Sequence, residues 1–173
     1  YTIDAKGYVV SNSTFSLGSK TETVDGTYTV NVVLKKAAEN AWDGQTFTEP
    51  QKDEDGTYLI STGAELAWFA KEVNSVATKS TSTINGKLTK DIDLASHNFP
   101  QIGYFNGGTE YVYYGGNFEG NNHKIYNFRF EKKAKAATGV YGGLFGYIKG
   151  AKITNLSVDG EVLVSALSTV SVS

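Results

Sequence analysis

The sequence predicts an all-β chain: parallel β-helix (solenoid) coils with an N-terminal capping α-helix, preceded by a small antiparallel β subdomain. Three observations lead there. First, one unit within residues 115–160 is written twice with a period of about 28 residues, the spacing of units that stack on one another. Gly115-Gly116-Asn117-Phe118 returns as Gly142-Gly143-Leu144-Phe145, and Ile125-Tyr126-Asn127-Phe128-Arg129-Phe130 returns as Ile153-Thr154-Asn155-Leu156-Ser157-Val158. Second, each copy closes on Ile-x-Asn-Φ-x-Φ, with Φ apolar, an alternation that suits a strand and not a helix. Third, one helical pattern, at residues 61–75, stands upstream of the repeats, where an open solenoid end would need a cover.

A solenoid places equivalent residues of successive coils on neighbouring parallel strands. Ile125 is therefore expected over Ile153, and Asn127 over Asn155, about 4.8 Å apart along the axis. Gly143 and Phe145 take the positions of Gly116 and Phe118. Two roles are open to the asparagines: stacked amides that hydrogen-bond along the axis, or single residues tolerating a left-handed turn. Either role is structural.

A hydrophobic content of 40% with 13% aromatic residues argues for a folded chain, and 19 Gly with 2 Pro fit a turn-rich β protein. The chain has no Cys, which removes disulfides, a thiol nucleophile and Cys-based zinc sites. It also lacks Met, as expected of a processed or excised piece. The formal net charge is −2 and Arg129 is the one arginine, a pattern that argues against nucleic acid as a partner. The basic run Lys132-Lys133-Ala134-Lys135 reads as a solvated loop. No signal peptide or apolar span is present, so no membrane insertion is expected of this segment.

In chain order, residues 1–38 form the small β subdomain, either the end of an immunoglobulin-like domain or a cover for the solenoid. Its strands are expected at Thr27–Lys36, after an Asp25-Gly26 turn, and at Gly7–Val10 and Thr14–Leu17. Residues 39–57 connect. Their acidic cluster Asp53-Glu54-Asp55-Gly56 fails as an EF-hand, because the twelfth position from Asp53 is Ala64; it reads as a turn into Thr57-Tyr58-Leu59-Ile60. Residues 58–173 form the capped solenoid, expected to be truncated at its C-terminus. Within it, Thr62 and Glu65 make a capping box, and Leu66, Phe69, Ala70 and Val73 share one apolar helix face. Thr62, Glu65, Leu66 and Phe69 are thus the expected cap residues. Further on, Leu88, Ile92 and Leu94 point to the core, and Val162 and Val164 continue the strand period before a Ser/Val/Thr-rich tail.

Two clusters are candidates for chemistry. Asp91 and Asp93, at i and i+2, could bind metal or do acid–base work, or could simply solvate a strand face and cap the next turn. The segment 104–114 is denser in aromatics than a core requires. Tyr104, Tyr111, Tyr113 and Tyr114 could stack on sugar rings, or could form an insertion hairpin packed on the coil. His97 and His123 are the two histidines and fall at different positions, and no nucleophile or metallopeptidase motif occurs.

The run Gly142-Gly143-Leu144-Phe145-Gly146-Tyr147-Ile148 followed by Ile153-Thr154-Asn155-Leu156-Ser157-Val158 resembles the GLUG repeat of bacterial surface proteins. Phe118-Glu119-Gly120-Asn121-Asn122-His123-Lys124-Ile125-Tyr126-Asn127-Phe128 is similar to the segment that precedes it in that family. Trp42-Asp43-Gly44 and Tyr58-Leu59-Ile60-Ser61-Thr62 through Phe69 also follow the family's order, so the resemblance covers residues 42–160. Such repeats occur in adhesin-like proteins and in the non-catalytic part of secreted IgA-cleaving peptidases. The resemblance implies an extracellular, non-catalytic adhesive segment of a large bacterial cell-surface or secreted protein, with no cofactor and with a host or cell-surface glycan or protein as partner. A carbohydrate-binding module using residues 104–114 is the alternative. A β-helix polysaccharide lyase or hydrolase is a third reading, and it lacks the Arg and His such sites gather.

Overall fold

The computed structural model describes residues 8–10, 34–36, 40–135 and 141–167. The strands expected at 14–17 and 27–33, and the tail from 168, lie outside the described residues. The chain divides into two compact units, Tyr1–Glu39 and Asn40–Ser173. In the first, β1 (Tyr8–Val10) runs antiparallel to β2 (Leu34–Lys36), with Tyr8 opposite Lys36 and Val10 opposite Leu34.

The second unit is mixed α/β. Its three small sheets are mixed or parallel, and one helix packs among them. The first sheet joins β3 (Gln51–Lys52), β4 (Tyr58–Ile60), β6 (Gly86–Leu88), β10 (Asn117–Glu119) and β12 (Lys152–Thr154) in that spatial order. All its pairings are parallel except β3 on β4. The second joins β7 (Ile92–Asp93), β11 (Lys124–Lys135) and β13 (Ser157–Leu167), all parallel. The third places β9 (Tyr111–Tyr114) between β5 (Thr81–Ser82), which is parallel to it, and β8 (Tyr104–Phe105), which is antiparallel.

This architecture corrects the all-β solenoid expected from the repeat; no solenoid of equivalent coils is identified in it. The register supplies the reason. Ile125 pairs with Ile92 and Val158, whereas Ile153 pairs with Phe118. The two written copies are therefore out of step: Ile125 and Ile153 fall in different sheets and are not cross-strand partners. Asn127 and Asn155 do not stack either. The N–H of Ser96 donates to the Asn127 carbonyl at 2.9 Å, while the N–H of Asn122 donates to the Asn155 carbonyl at 2.9 Å. Both asparagines have left-handed backbone, with φ of 53° and 51°, which is the turn role. The Asn127 amide also donates to the Asp93 carboxylate at 2.8 Å. Similar wording at a fixed period showed which segments become strands, but not which strand each one joins.

The helix α1 (Gly63–Val73) forms where its capping box predicts. The Glu65 N–H donates to the Thr62 hydroxyl at 3.2 Å, and the Glu65 carboxylate accepts the N–H groups of Ser61 and Thr62 at 2.7 and 3.0 Å. Leu66, Phe69, Ala70 and Val73 are wholly buried, as the 3.6-residue spacing requires. The helix packs its apolar face into the core. The Phe69 ring meets Tyr58, Tyr114 and Phe118 edge-on at 6.0, 6.0 and 5.7 Å, rings that come from β4, β9 and β10. Gly86 makes room for it: a Cβ there would lie 3.0 Å from the tip of the Phe69 ring. Trp68 packs on Tyr58 at 5.3 Å. Trp42 closes the far side, meeting Phe99 at 5.3 Å and donating its indole N–H to the Thr46 carbonyl at 2.8 Å.

Truncating a buried Phe typically costs about 3–5 kcal/mol. Phe69→Ala is expected to fall in that range and to lower the urea midpoint accordingly. An unchanged midpoint would show that this ring does not join the sheets.

Candidate functional site

Three aromatic side chains of the third sheet share one face of it. β8 and β9 pair Tyr104 with Val112 and Phe105 with Tyr111. Directly opposed residues share a face and neighbours alternate. Phe105, Tyr111 and Tyr113 therefore stand on one face, and Tyr104, Val112 and Tyr114 on the other. The segment 141–149 is laid beside β9. Buried Gln101 donates its amide to the carbonyls of Tyr141 and Gly143 at 2.8 and 3.2 Å. The Tyr114 N–H donates to the Tyr147 carbonyl, and the Lys149 N–H to the Tyr114 carbonyl, both at 2.9 Å. Gly103 permits this approach, because its φ is +69° and a Cβ would lie 2.4 Å from the Tyr147 carbonyl oxygen. Asn74, just past α1, holds the segment 101–103: its amide donates to the Gln101 carbonyl and its side-chain oxygen accepts the Gly103 N–H, at 2.7 and 3.0 Å.

Five rings result in one cluster: Phe105, Tyr111, Tyr113, Tyr141 and Tyr147. Tyr113 and Tyr147 stack face to face, with centroids 4.4 Å apart and planes at 18°, and the Tyr113 hydroxyl donates to that of Tyr147 at 3.3 Å. Tyr111 meets both rings edge-on at 5.1 and 5.7 Å. Tyr141, half exposed, meets Tyr147 at 5.5 Å and Phe105 at 5.3 Å. The Lys149 ammonium lies 5.3 Å from the centre of the Tyr113 ring.

The expected binding residues thus separate. Tyr111 and Tyr113 belong to the cluster. Tyr104 lies on the other face. Tyr114 is wholly buried, stacked on Phe145 at 5.7 Å, and cannot meet a ligand. Phe105 lay within the aromatic segment without being singled out. Tyr141 and Tyr147 were missed altogether, because they arrive from a separate segment that the parallel bridges of Ile102 with Phe145 and of Tyr114 with Ile148 bring alongside.

The remaining candidates are engaged in turns. The Asp91 carboxylate accepts the Lys124 N–H at 3.0 Å and lies 3.1 Å from His123 Nδ1. The Lys124 amide first, and His123 second, hold it below the usual carboxylate range. Asp93 is buried and accepts the N–H of Ala95 and the Asn127 amide, both at 2.8 Å. His97 packs on Trp42 at 6.1 Å. Asp53 accepts the N–H groups of Asp55 and Thr57 at 3.1 and 2.9 Å, closing the expected turn. Among the described residues no group of three or more His, Cys, Asp or Glu could hold a metal ion.

Two outcomes follow from these electrostatics. The Tyr114 hydroxyl is buried with no hydrogen-bond partner among the described residues, and burial raises its phenol far above the ordinary value. Leaving such a group unpaired costs about 1–3 kcal/mol, so Tyr114→Phe is expected to raise the thermal midpoint; a fall would show that the hydroxyl is satisfied. The Asp43 carboxyl is lowered from 3.8 to about 2, chiefly by the Thr46 hydroxyl and then by the N–H groups of Thr46 and Gln45. A depressed carboxyl contributes stability that is present above its unfolded value and lost as pH falls through the folded one. Asp43→Asn should be less stable than the parent at neutral pH, and the gap should close between 3.8 and about 2; thermal melts across that range measure it. No family model, no curated protein and no solved structure matches the chain.

Proposed function

We propose that the chain is a non-catalytic, adhesive segment of a large bacterial cell-surface or secreted protein, acting outside the cell on a host or cell-surface glycan or protein. The observation that carries the reading is the cluster of Phe105, Tyr111, Tyr113, Tyr141 and Tyr147, which none of the hydrogen-bonded turns requires. Tyrosine combines a large apolar ring with a polar tip and is a good contact residue for both classes of partner. The resemblance to GLUG repeats in residues 142–158 supports a surface setting. The carboxylates and histidines that a hydrolase or lyase would use have structural partners instead, which supports a binding role over a catalytic one. Among the described residues no helix is long and apolar enough to cross a membrane.

The second reading, a carbohydrate-binding module, is favoured by the same cluster, since sugar C–H faces stack on aromatic rings. The cluster's packing bears on it: Tyr113 and Tyr147 each give one ring face to the other, which leaves Tyr141, the most exposed of the five, as the ring best placed to receive a sugar.

A glycan array and a binding assay on host-cell extracts test both readings. Reproducible binding, weakened at least tenfold in Tyr141→Ala and unchanged in Tyr104→Ala, is the expected result; a tenfold loss corresponds to about 1.4 kcal/mol. Turnover of pectin, alginate or host glycans that disappears in Asp91→Asn or Asp93→Asn would overturn the non-catalytic reading.

A further inference from the structure

We propose that Tyr113 and Tyr147 form an oxidative cross-linking site, in which the two phenols couple into dityrosine and staple β9 to the segment 141–149 within one chain. The pair is set apart from its neighbouring tyrosines by geometry. Its rings are nearly parallel at 4.4 Å, and its hydroxyls are 3.3 Å apart. The neighbouring pairs Tyr111–Tyr113 and Tyr141–Tyr147 are inclined at 64° and 40° with centroids at 5.1 and 5.5 Å. Both members of the pair are partly exposed, so a diffusing oxidant can reach them.

Composition directs oxidation to the tyrosines. The chain has no Cys and no Met, the side chains that ordinarily react first. Trp42 is buried and Trp68 is packed on Tyr58. The reaction balances with a haem peroxidase and hydrogen peroxide. Each phenol gives up one electron and one proton to become a phenoxyl radical, and the peroxide takes both electrons and both protons to leave two waters. The radicals join through a carbon–carbon bond between the ring positions next to the hydroxyls. The hydrogen on each of those carbons then moves to its oxygen, which restores two phenols. The product is the same chain less two hydrogen atoms. Holding the rings together in advance makes the coupling effectively intramolecular. The new bond closes a loop between residues 113 and 147 in a chain that has no cysteine to do so, and such a loop constrains the unfolded chain as a disulfide would.

The test treats the full chain, dilute and monomeric, with a haem peroxidase and hydrogen peroxide. Dityrosine fluorescence, intact mass and peptide mapping are then read on the monomer fraction. A monomer lighter by two hydrogens, with its cross-link mapped to residues 113 and 147 and a raised thermal midpoint, is expected. The fluorescence should be lost in Tyr113→Phe and in Tyr147→Phe, and retained in Tyr104→Phe. Mapping of the parent product needs no variant, so a folding defect in either substitution leaves the test intact. A cross-link found only in dimers, or mapped in the monomer to Tyr111 or Tyr141, would overturn the proposal.

Discussion

Phe69 seated against the bare backbone of Gly86 is the contact on which residues 40–167 depend. Apart from β11 and β13 the strands are too short to stand alone: they run two to four residues, and such pieces have little hydrogen bonding to offset the ordering of the chain. A single ring that meets Tyr58, Tyr114 and Phe118 lets β4, β9 and β10 bury their apolar faces against one object. The ring fits because residue 86 has no side chain. The capping box at Thr62 and Glu65 then matters beyond the helix itself, since it fixes the rotation that points Phe69 inward.

The aromatic cluster inherits its position from that core. Tyr113 and Tyr114 are adjacent in a strand, so burial of one forces the other outward. Packing Tyr114 between Phe69 and Phe145 sets the register of β9 and displays Tyr111 and Tyr113. The buried Tyr114 hydroxyl is the cost of that choice; a phenylalanine would hold the register without it. Gln101 and Asn74 complete the arrangement by carrying the helix end, the 101–103 segment and the 141–143 segment on a few polar bonds.

Local signals were legible in the sequence. Thr62 to Glu65 announced the helix start, and the burial of Leu66, Phe69, Ala70 and Val73 followed from spacing alone. Leu88, Ile92 and Leu94 were read as core and are wholly buried. Pairing was not legible. Ile125 and Ile153 occupy like places in the written repeat, yet one sits on Val158 and the other on Phe118, because the intervening segments differ in length and the strands sort into separate sheets. Tyr114 illustrates a smaller failure: the alternation of β9 excluded a shared surface for Tyr113 and Tyr114, but which of the two turned inward depended on a helix elsewhere in the chain. Tyr147 was invisible as a partner of Tyr113 until a parallel bridge placed it there.

Two edge strands, of different sheets, differ in a way that bears on self-association. β3 is two residues long and carries Lys52, whose ammonium lies 4.4 Å from the Tyr58 ring; short, charged borders discourage further pairing. β13 is eleven residues long, shows Val158, Val162, Leu163 and Val164 to solvent, and pairs on one side alone among the described residues. Strand addition from outside is therefore favoured at β13 over β3, and concentration-dependent assembly of the described core would depend on how β13 is screened.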